Sequence, residues 1–229
     1  MEIRQNVRSK PASYIDINKF FIVKRIVDVT GSLILIIISC PLLLLISYRI
    51  LKKDGRPILF RQVRMGKDNR PFLIRKFRTL TNPSKVIRSL PPHPFPKSWD
   101  NGVPDQFSFN RDPHQNVTHT GRWLKKYRLD RLPLLYNVLK GDMSLVGPSP
   151  EIVEIVEYYN KYQAQRLRVK PGITGFAQVN GNANRNHDQK IKDDLFYIKN
   201  CSLKFDMIIK YRTIKHIVLN GNFKRKRLL

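Results

Sequence analysis

Hydrophobic and polar positions follow three different patterns along this chain. From Val29 to Tyr48 (VTGSLILIIISCPLLLLISY) the pattern is unbroken: twenty residues without a charge. At about 1.5 Å per residue, such a helix matches a hydrocarbon core of roughly 30 Å. Residues 56–80 alternate instead, with Ile58, Phe60 and Val63, then Phe72, Ile74 and Phe77, on either side of Gly66-Lys67-Asp68-Asn69. That spacing predicts a β-hairpin. Ile152, Ile155, Val156, Tyr159 and Tyr162 recur at helical spacing and predict an amphipathic helix over 150–164, with Glu151 and Glu154 in its first turn. Met207, Tyr211, Ile214 and Val218 mark one face of a basic C-terminal helix, suited to a membrane interface or to core packing. Between these, Asn82 to Asn110 is rich in Pro, Ser, Asn and His and reads as loop or local disorder.

One stretch fits none of the three patterns. Leu129 to Glu151 (LDRLPLLYNVLKGDMSLVGPSPE) places Asp130 ahead of an apolar run, a turn at Gly141-Asp142, and a rigid Gly147-Pro148-Ser149-Pro150. Asp130 suits a helix N-cap, where its oxygens would accept from first-turn N–H groups. The same carboxylate, kept ionised by a helix N-terminus, also suits a nucleophile or a metal ligand. Chemistry alone leaves both open.

Charge narrows the partners. Among 229 residues, 43 Lys and Arg stand against 17 Asp and Glu, a formal net charge of +26. So basic a chain attracts polyanions: nucleic acid, anionic lipid or a phosphorylated substrate. The uncharged run and the lack of a nucleic-acid motif argue against the first. Cys40 and Cys201 are too few for a disulfide framework and fit a reducing setting. His93 and His114 are isolated, with no zinc spacing. No cleavage site follows the apolar run, so a cleaved signal peptide is not expected. Six Lys or Arg precede that run and seven follow within twenty residues. The positive-inside rule needs an imbalance, and both flanks favour the cytosolic side. Pro41, with Ser39 and Cys40, would kink the helix and return the chain to the leaflet it entered; an ordinary kink in a spanning helix is the alternative.

The 129–151 stretch resembles the signature of the bacterial sugar transferases, the monotopic phosphoglycosyl transferases that load a sugar phosphate onto a polyprenyl phosphate. The resemblance extends to Lys24-Arg25-x-x-Asp28, to Phe60 through Thr79, to Asp112-Pro113 and Gly121-Arg122, to Arg166 through Gly181, and to the closing Asp194 through Asp206. It implies an α+β fold: a compact mixed helix and short-strand domain on a re-entrant helix–break–helix, with the break at Ser39-Cys40-Pro41. The chain then divides into a flexible tail (1–20), the membrane hairpin (21–55), the transferase domain (56–220) with a variable loop (82–110), and a basic tail (221–229).

The resemblance also implies the reaction. Asp130 would attack a nucleotide diphospho-sugar, probed best as a UDP-sugar, and pass the phosphosugar to undecaprenyl phosphate, with Mg²⁺ held at Asp130. Lys76, Arg78, Asp112, Ser149, Lys170, Gly172, Thr174, Gly175 and Gln178 would bind substrate, the glycines offering free backbone N–H groups. Lys76 and Arg78 also fit solvated strand positions, and Asp112 a turn before proline. Anionic lipids are expected partners at the cytoplasmic leaflet of a bacterial membrane, nucleic acid is not, and a homodimer stays open. Two positions depart from the family: Arg131 stands where its Asp-Glu dyad has Glu, and Ser149 where its Pro-Arg-Pro has Arg. Arginine neither accepts a proton nor binds a cation. Asp112, Asp142 and Glu151 are candidate substitutes for the missing acid. The two changes either compensate, Arg131 replacing the lost guanidinium, or mark a catalytically inactive paralogue acting as a partner subunit.

Overall fold

The computed structural model describes residues 14–81, 99, 101–107, 117–181 and 186–223. One helix dominates it. α1 (Tyr14–Asp54) is 41 residues long and runs through Pro41 without interruption. The expected helix–break–helix is thus one helix with no loop inside it. Pro41 leaves the Ile37 carbonyl without its helical donor, and in the turn before it the Ser39 hydroxyl adds a bond to the Leu35 carbonyl at 2.6 Å. The helix also begins inside the stretch expected to be a tail.

The hairpin forms as the alternation predicts. β1 (Leu59–Met65) pairs antiparallel with β2 (Pro71–Phe77), Leu59 opposite Phe77 and Met65 opposite Pro71, across a turn at Lys67–Asn69. Phe72, Ile74 and Phe77 turn into the core, whereas Val63 faces solvent. α2 (His119–Lys126) follows, its Thr118 hydroxyl capping the Gly121 N–H. A side chain at Gly121 would put its Cβ 2.2 Å from the Thr79 carbonyl oxygen, so only glycine lets α2 lie against the end of β2. Then come a 3-10 turn at Leu129–Arg131, α3 (Leu134–Lys140) and β3 (Ser144–Val146). α3 ends on Gly141 in the left-handed region, as the Gly-Asp turn suggested.

The amphipathic helix expected over 150–164 is not there. Only α4 (Val153–Val156) is helical, followed by a 3-10 segment, Gln163–Arg168. Side chains end it early: the Asn160 amide oxygen accepts from the Tyr162 and Gln163 N–H groups, starting the 3-10 turn. Tyr159 is drawn inward to Arg166 at 2.7 Å, and Glu151 precedes the helix, buried. β4 (Gly172–Thr174) pairs parallel with β3, and α5 (Phe176–Val179), α6 (His187–Lys199) and α7 (Leu203–Phe223) complete the chain. Part of the 82–110 stretch is also more ordered than its composition suggests. Trp99 and Val103 are buried against Ile152 and Ile155.

The Lys24-Arg25-x-x-Asp28 motif fastens α1 to the domain. Lys24 pairs with Asp206 of α7 inside the protein. Arg25 donates to the carbonyls of Val138 and Leu139 at 2.6 and 2.8 Å, at the end of α3. Asp28 accepts from the Leu145 N–H on β3. Further along α1, Ile46 and Ile50 are fully buried with Phe77 and Leu124. Between these two anchorages Leu33, Ile34, Leu35, Ile37, Ile38, Leu44 and Leu45 are exposed. α7 shows a second apolar face, with Met207, Tyr211, Ile214 and Val218 all exposed, so its stripe is a surface and not core.

Candidate active site

Asp130 lies inside the Leu129–Arg131 turn, and α3 begins at Leu134 with Pro133 before it and no side-chain cap. The capping reading is therefore overturned. The first-turn N–H groups of Leu135 and Tyr136 already donate to the Leu132 and Pro133 carbonyls at 3.1 and 3.2 Å, so this helix needs no acid there. Among the described residues the half-buried Asp130 carboxylate makes no hydrogen bond or ion pair, which leaves both oxygens for a substrate.

Arg131 points elsewhere. Its guanidinium donates to the Ile173 carbonyl at 3.2 Å, tying the Asp130 turn to β4. The loop around β4 is stitched in turn to the Gly147–Pro150 loop. Gly172 N–H donates to the Pro148 carbonyl at 2.8 Å, and Gly147 N–H to the Thr174 carbonyl at 2.9 Å. A Cβ on Gly172 would sit 2.1 Å from Gly147 N, and one on Gly175 2.2 Å from Gly147 O. Glycine is required here because two backbones touch. This corrects the expectation of free N–H groups: the Gly172 N–H is already used.

The two loops bring Ser149 and Gln178 together, Gln178 Nε2 donating to Ser149 Oγ at 2.8 Å. Gln178 Oε1 is buried without a partner, an acceptor left for a ligand or water. Thr174 is not part of this edge: its hydroxyl bonds that of Thr213 on α7 at 2.7 Å. Arg78 is likewise turned away. It is buried, and its terminal nitrogens donate to the carbonyls of Asp54, Gly55 (2.8 Å) and Arg56 (3.1 Å), so it closes the end of α1. Lys76 is half-buried on β2 opposite Phe60. Asp112 lies outside the described residues.

Lys170 is half-buried and has no hydrogen-bonded partner among the described residues. Burial, with Arg25 close by, lowers its pKa. A Cβ on Gly141 would lie 3.4 Å from Arg25 Nη2 and 3.6 Å from Lys170 Nζ, so the two cations crowd around the turn that ends α3.

The candidates for the missing acid divide clearly. Glu151 is buried, 2.6 Å from Arg166 and 2.5 Å from Lys190. Burial pushes its carboxyl up, but Lys190 and Arg166 outweigh that and hold it far below the usual range. Arg166 also meets Asp194 at 2.6 Å and the Ser149 carbonyl at 3.0 Å. Glu151 therefore supports the Ser149 loop from beneath. Asp142 is engaged by Lys140 and Asn137. Asn137 was missed in the sequence: buried, it bonds one edge of β2, donating to Leu73 O and accepting from Arg75 N–H, and so sets α3 and the Asp130 turn against the hairpin. A polar residue inside the apolar LLYNVL run was the available signal.

Among the described residues no three His, Cys, Asp or Glu side chains cluster as a metal site. Mg²⁺ commonly uses one or two carboxylates plus substrate phosphates, and the uncommitted Asp130 carboxylate suits that mode.

A sequence model of the family described as bacterial sugar transferase matches residues 19–220. The chain belongs to the bacterial sugar transferase family. It is 35% identical over 204 residues to an uncharacterized sugar transferase, EpsL, of Bacillus subtilis, covering 89% of this chain and 91% of that one. It is also 35% identical to the undecaprenyl-phosphate galactose phosphotransferase of Salmonella typhimurium, over 85% of this chain and 40% of that protein. To the UDP-glucose:undecaprenyl-phosphate glucose-1-phosphate transferase of Klebsiella pneumoniae it is 35% identical, over 83% of this chain and 39% of that one. The chain thus spans nearly all of one sugar transferase relative and less than half of the two longer ones. The enzymatic class expected from the motifs, a phosphoglycosyl transferase, is the class these names give.

Proposed function

We propose that this sugar transferase moves a sugar 1-phosphate from a nucleotide diphospho-sugar, a UDP-sugar, onto undecaprenyl phosphate, beginning a surface glycan. The uncommitted Asp130 carboxylate carries the reading. One of its oxygens attacks the β-phosphorus of the donor, and the bond from that phosphorus to the bridging oxygen breaks. Nucleoside monophosphate leaves, and the phosphosugar stays on Asp130 as an acyl phosphate. An oxygen of the lipid phosphate then attacks the same phosphorus, restoring the carboxylate and giving a lipid diphospho-sugar. Splitting the transfer lets one site serve a soluble and a lipid substrate in turn. Lys170 and Lys76 supply positive charge, and Ser149 with Gln178 supplies polar contacts beside it. Mg²⁺, held through Asp130 and the donor's phosphates, would offset diphosphate charge.

Membrane placement follows from α1. Its two anchorages, at Asp28 and at Ile46, grip one domain, although about 27 Å of straight helix would separate them. A charged domain gripping both ends keeps both on one side of a bilayer. That supports a monotopic protein on the cytoplasmic leaflet, with its exposed apolar stretch in the lipid.

The test is release of UMP from a panel of UDP-sugars by the detergent-solubilised chain, with and without undecaprenyl phosphate. One equivalent is expected without acceptor and turnover with it, both lost in Asp130→Asn. A variant that still turns over would remove Asp130 from the chemistry. Arg131 and Ser149 favour a second reading, an inactive partner subunit, which silence across the panel would favour.

A further inference from the structure

The end of α1 and the start of β1 enclose an open cleft of about 1190 Å³, away from the Ser149 loop. Its floor is apolar, with Leu51, Ile58 and Leu59, and its polar lining is Asp54, Arg56, Arg61, Arg78 and Thr81. Three guanidinium groups against one carboxylate leave the lining positive. Arg56 and Arg61 are exposed, and their side chains have no partner among the described residues. Arg78 is buried to 3% exposure, yet its Nε finds no acceptor; Asp54 Oδ2 is likewise buried without a donor. Buried donors and acceptors are nearly always paired, so two orphans in one cleft mark a place where something else completes them.

Several observations identify the class of that ligand. An orphaned Arg Nε–H and two free guanidiniums call for an anion, and arginine forks fit phosphate oxygens. The orphaned carboxylate calls for a donor on the same molecule, such as the hydroxyl of a protonated phosphate or a polar head group. The apolar floor calls for hydrocarbon. The cleft also lies at the end of α1, a few residues past its exposed apolar stretch, where a bilayer holding that stretch would present its head groups.

We propose that this cleft binds a phosphate carried on a lipid. Two lipids have that chemistry: a bilayer phospholipid such as phosphatidylglycerol, and a polyprenyl phosphate. Ile58 and Leu59 pack in one apolar cluster with Leu129, the residue before Asp130, so a polyprenyl phosphate there would lie near the reacting turn.

The test uses the full chain in neutral detergent and requires no donor sugar, so its outcome is independent of whether transfer occurs. Binding of inorganic phosphate, dihexanoyl phosphatidylglycerol, dihexanoyl phosphatidylcholine and farnesyl phosphate is measured by native mass spectrometry and by thermal shift. The exposed pair is changed to Arg56→Gln/Arg61→Gln, which leaves the buried Arg78 clamp intact. At least one anionic lipid is expected to bind more tightly than inorganic phosphate, and to lose about tenfold or more of its affinity in the double variant, as for loss of charge-assisted hydrogen bonds. Farnesyl phosphate binding alone would assign the cleft to the acceptor; phosphatidylglycerol binding alone would assign it to a bilayer lipid. Unchanged affinity for both anionic lipids in the double variant, or inorganic phosphate and phosphatidylcholine binding as tightly as either, would overturn the proposal.

Discussion

At the scale of single residues, the two departures from the family motif have different structural consequences. Arg131 holds the Ile173 carbonyl. Ser149 takes a hydrogen bond from Gln178, at the position where the sequence resemblance leads to the expectation of a guanidinium. The two are joined by three links: Arg131 to Ile173, the neighbouring Gly172 N–H to Pro148 O, and Pro148 to Ser149. Residues sharing such a path couple by about 0.5–3 kcal/mol. Arg131→Glu should therefore lower UMP release, and Ser149→Arg in the same chain should recover part of it. Strictly additive effects in the double-mutant cycle would show that the positions act independently. The motif singled out Asp130 as the candidate nucleophile, whereas its capping role was not excluded until α3 proved to begin after Pro133 with no side-chain cap.

Elements were legible where a pattern was local. The hairpin announced itself by alternation, and α1 by its uncharged run, because each depends on contacts near in sequence or on lipid. The 150–164 segment failed for the opposite reason. Its helical periodicity is real, but Asn160 offers the backbone a competing turn, and Arg166 and Glu151 pull Tyr159 into a buried ionic cluster that no local pattern shows. The same cluster sets the start of α6. His187 packs on Tyr159 and Phe107, and its Nε2 is buried without a partner. Burial, against the opposing pull of Glu151, lowers its pKa to about 3. An imidazole kept neutral in the fold but free to charge when unfolded stabilises the protein above about pH 6.5. That contribution falls away as the pH drops from there toward the folded value. Urea denaturation in detergent should show stability declining from pH 7 to pH 5, with a shallower slope in His187→Gln. Equal slopes would mean that His187 takes up its proton in the folded protein.

At the scale of the molecule, the question is how a helix long enough to cross a bilayer serves a domain that holds both its ends. Neither flank is free. Lys24, Arg25 and Asp28 are bound to α7, α3 and β3, and Ile46 and Ile50 to β2 and α2. Crossing would require one anchorage to tear loose. Breaking a buried pair such as Lys24–Asp206 alone costs about 3–5 kcal/mol. Entering and leaving by one face costs no such contact, and it leaves the exposed leucines and isoleucines of residues 33–45 in hydrocarbon, where each contributes about 1.5–3 kcal/mol. Single cysteines placed at Lys19 and at Lys53, in a chain with Cys40 and Cys201 replaced by serine, should therefore react alike. An impermeant maleimide added to right-side-out cells should label neither, and opening the cells should expose both. Labelling of one position alone in intact cells would mean that α1 spans the membrane, and that the two anchorages cannot hold at once.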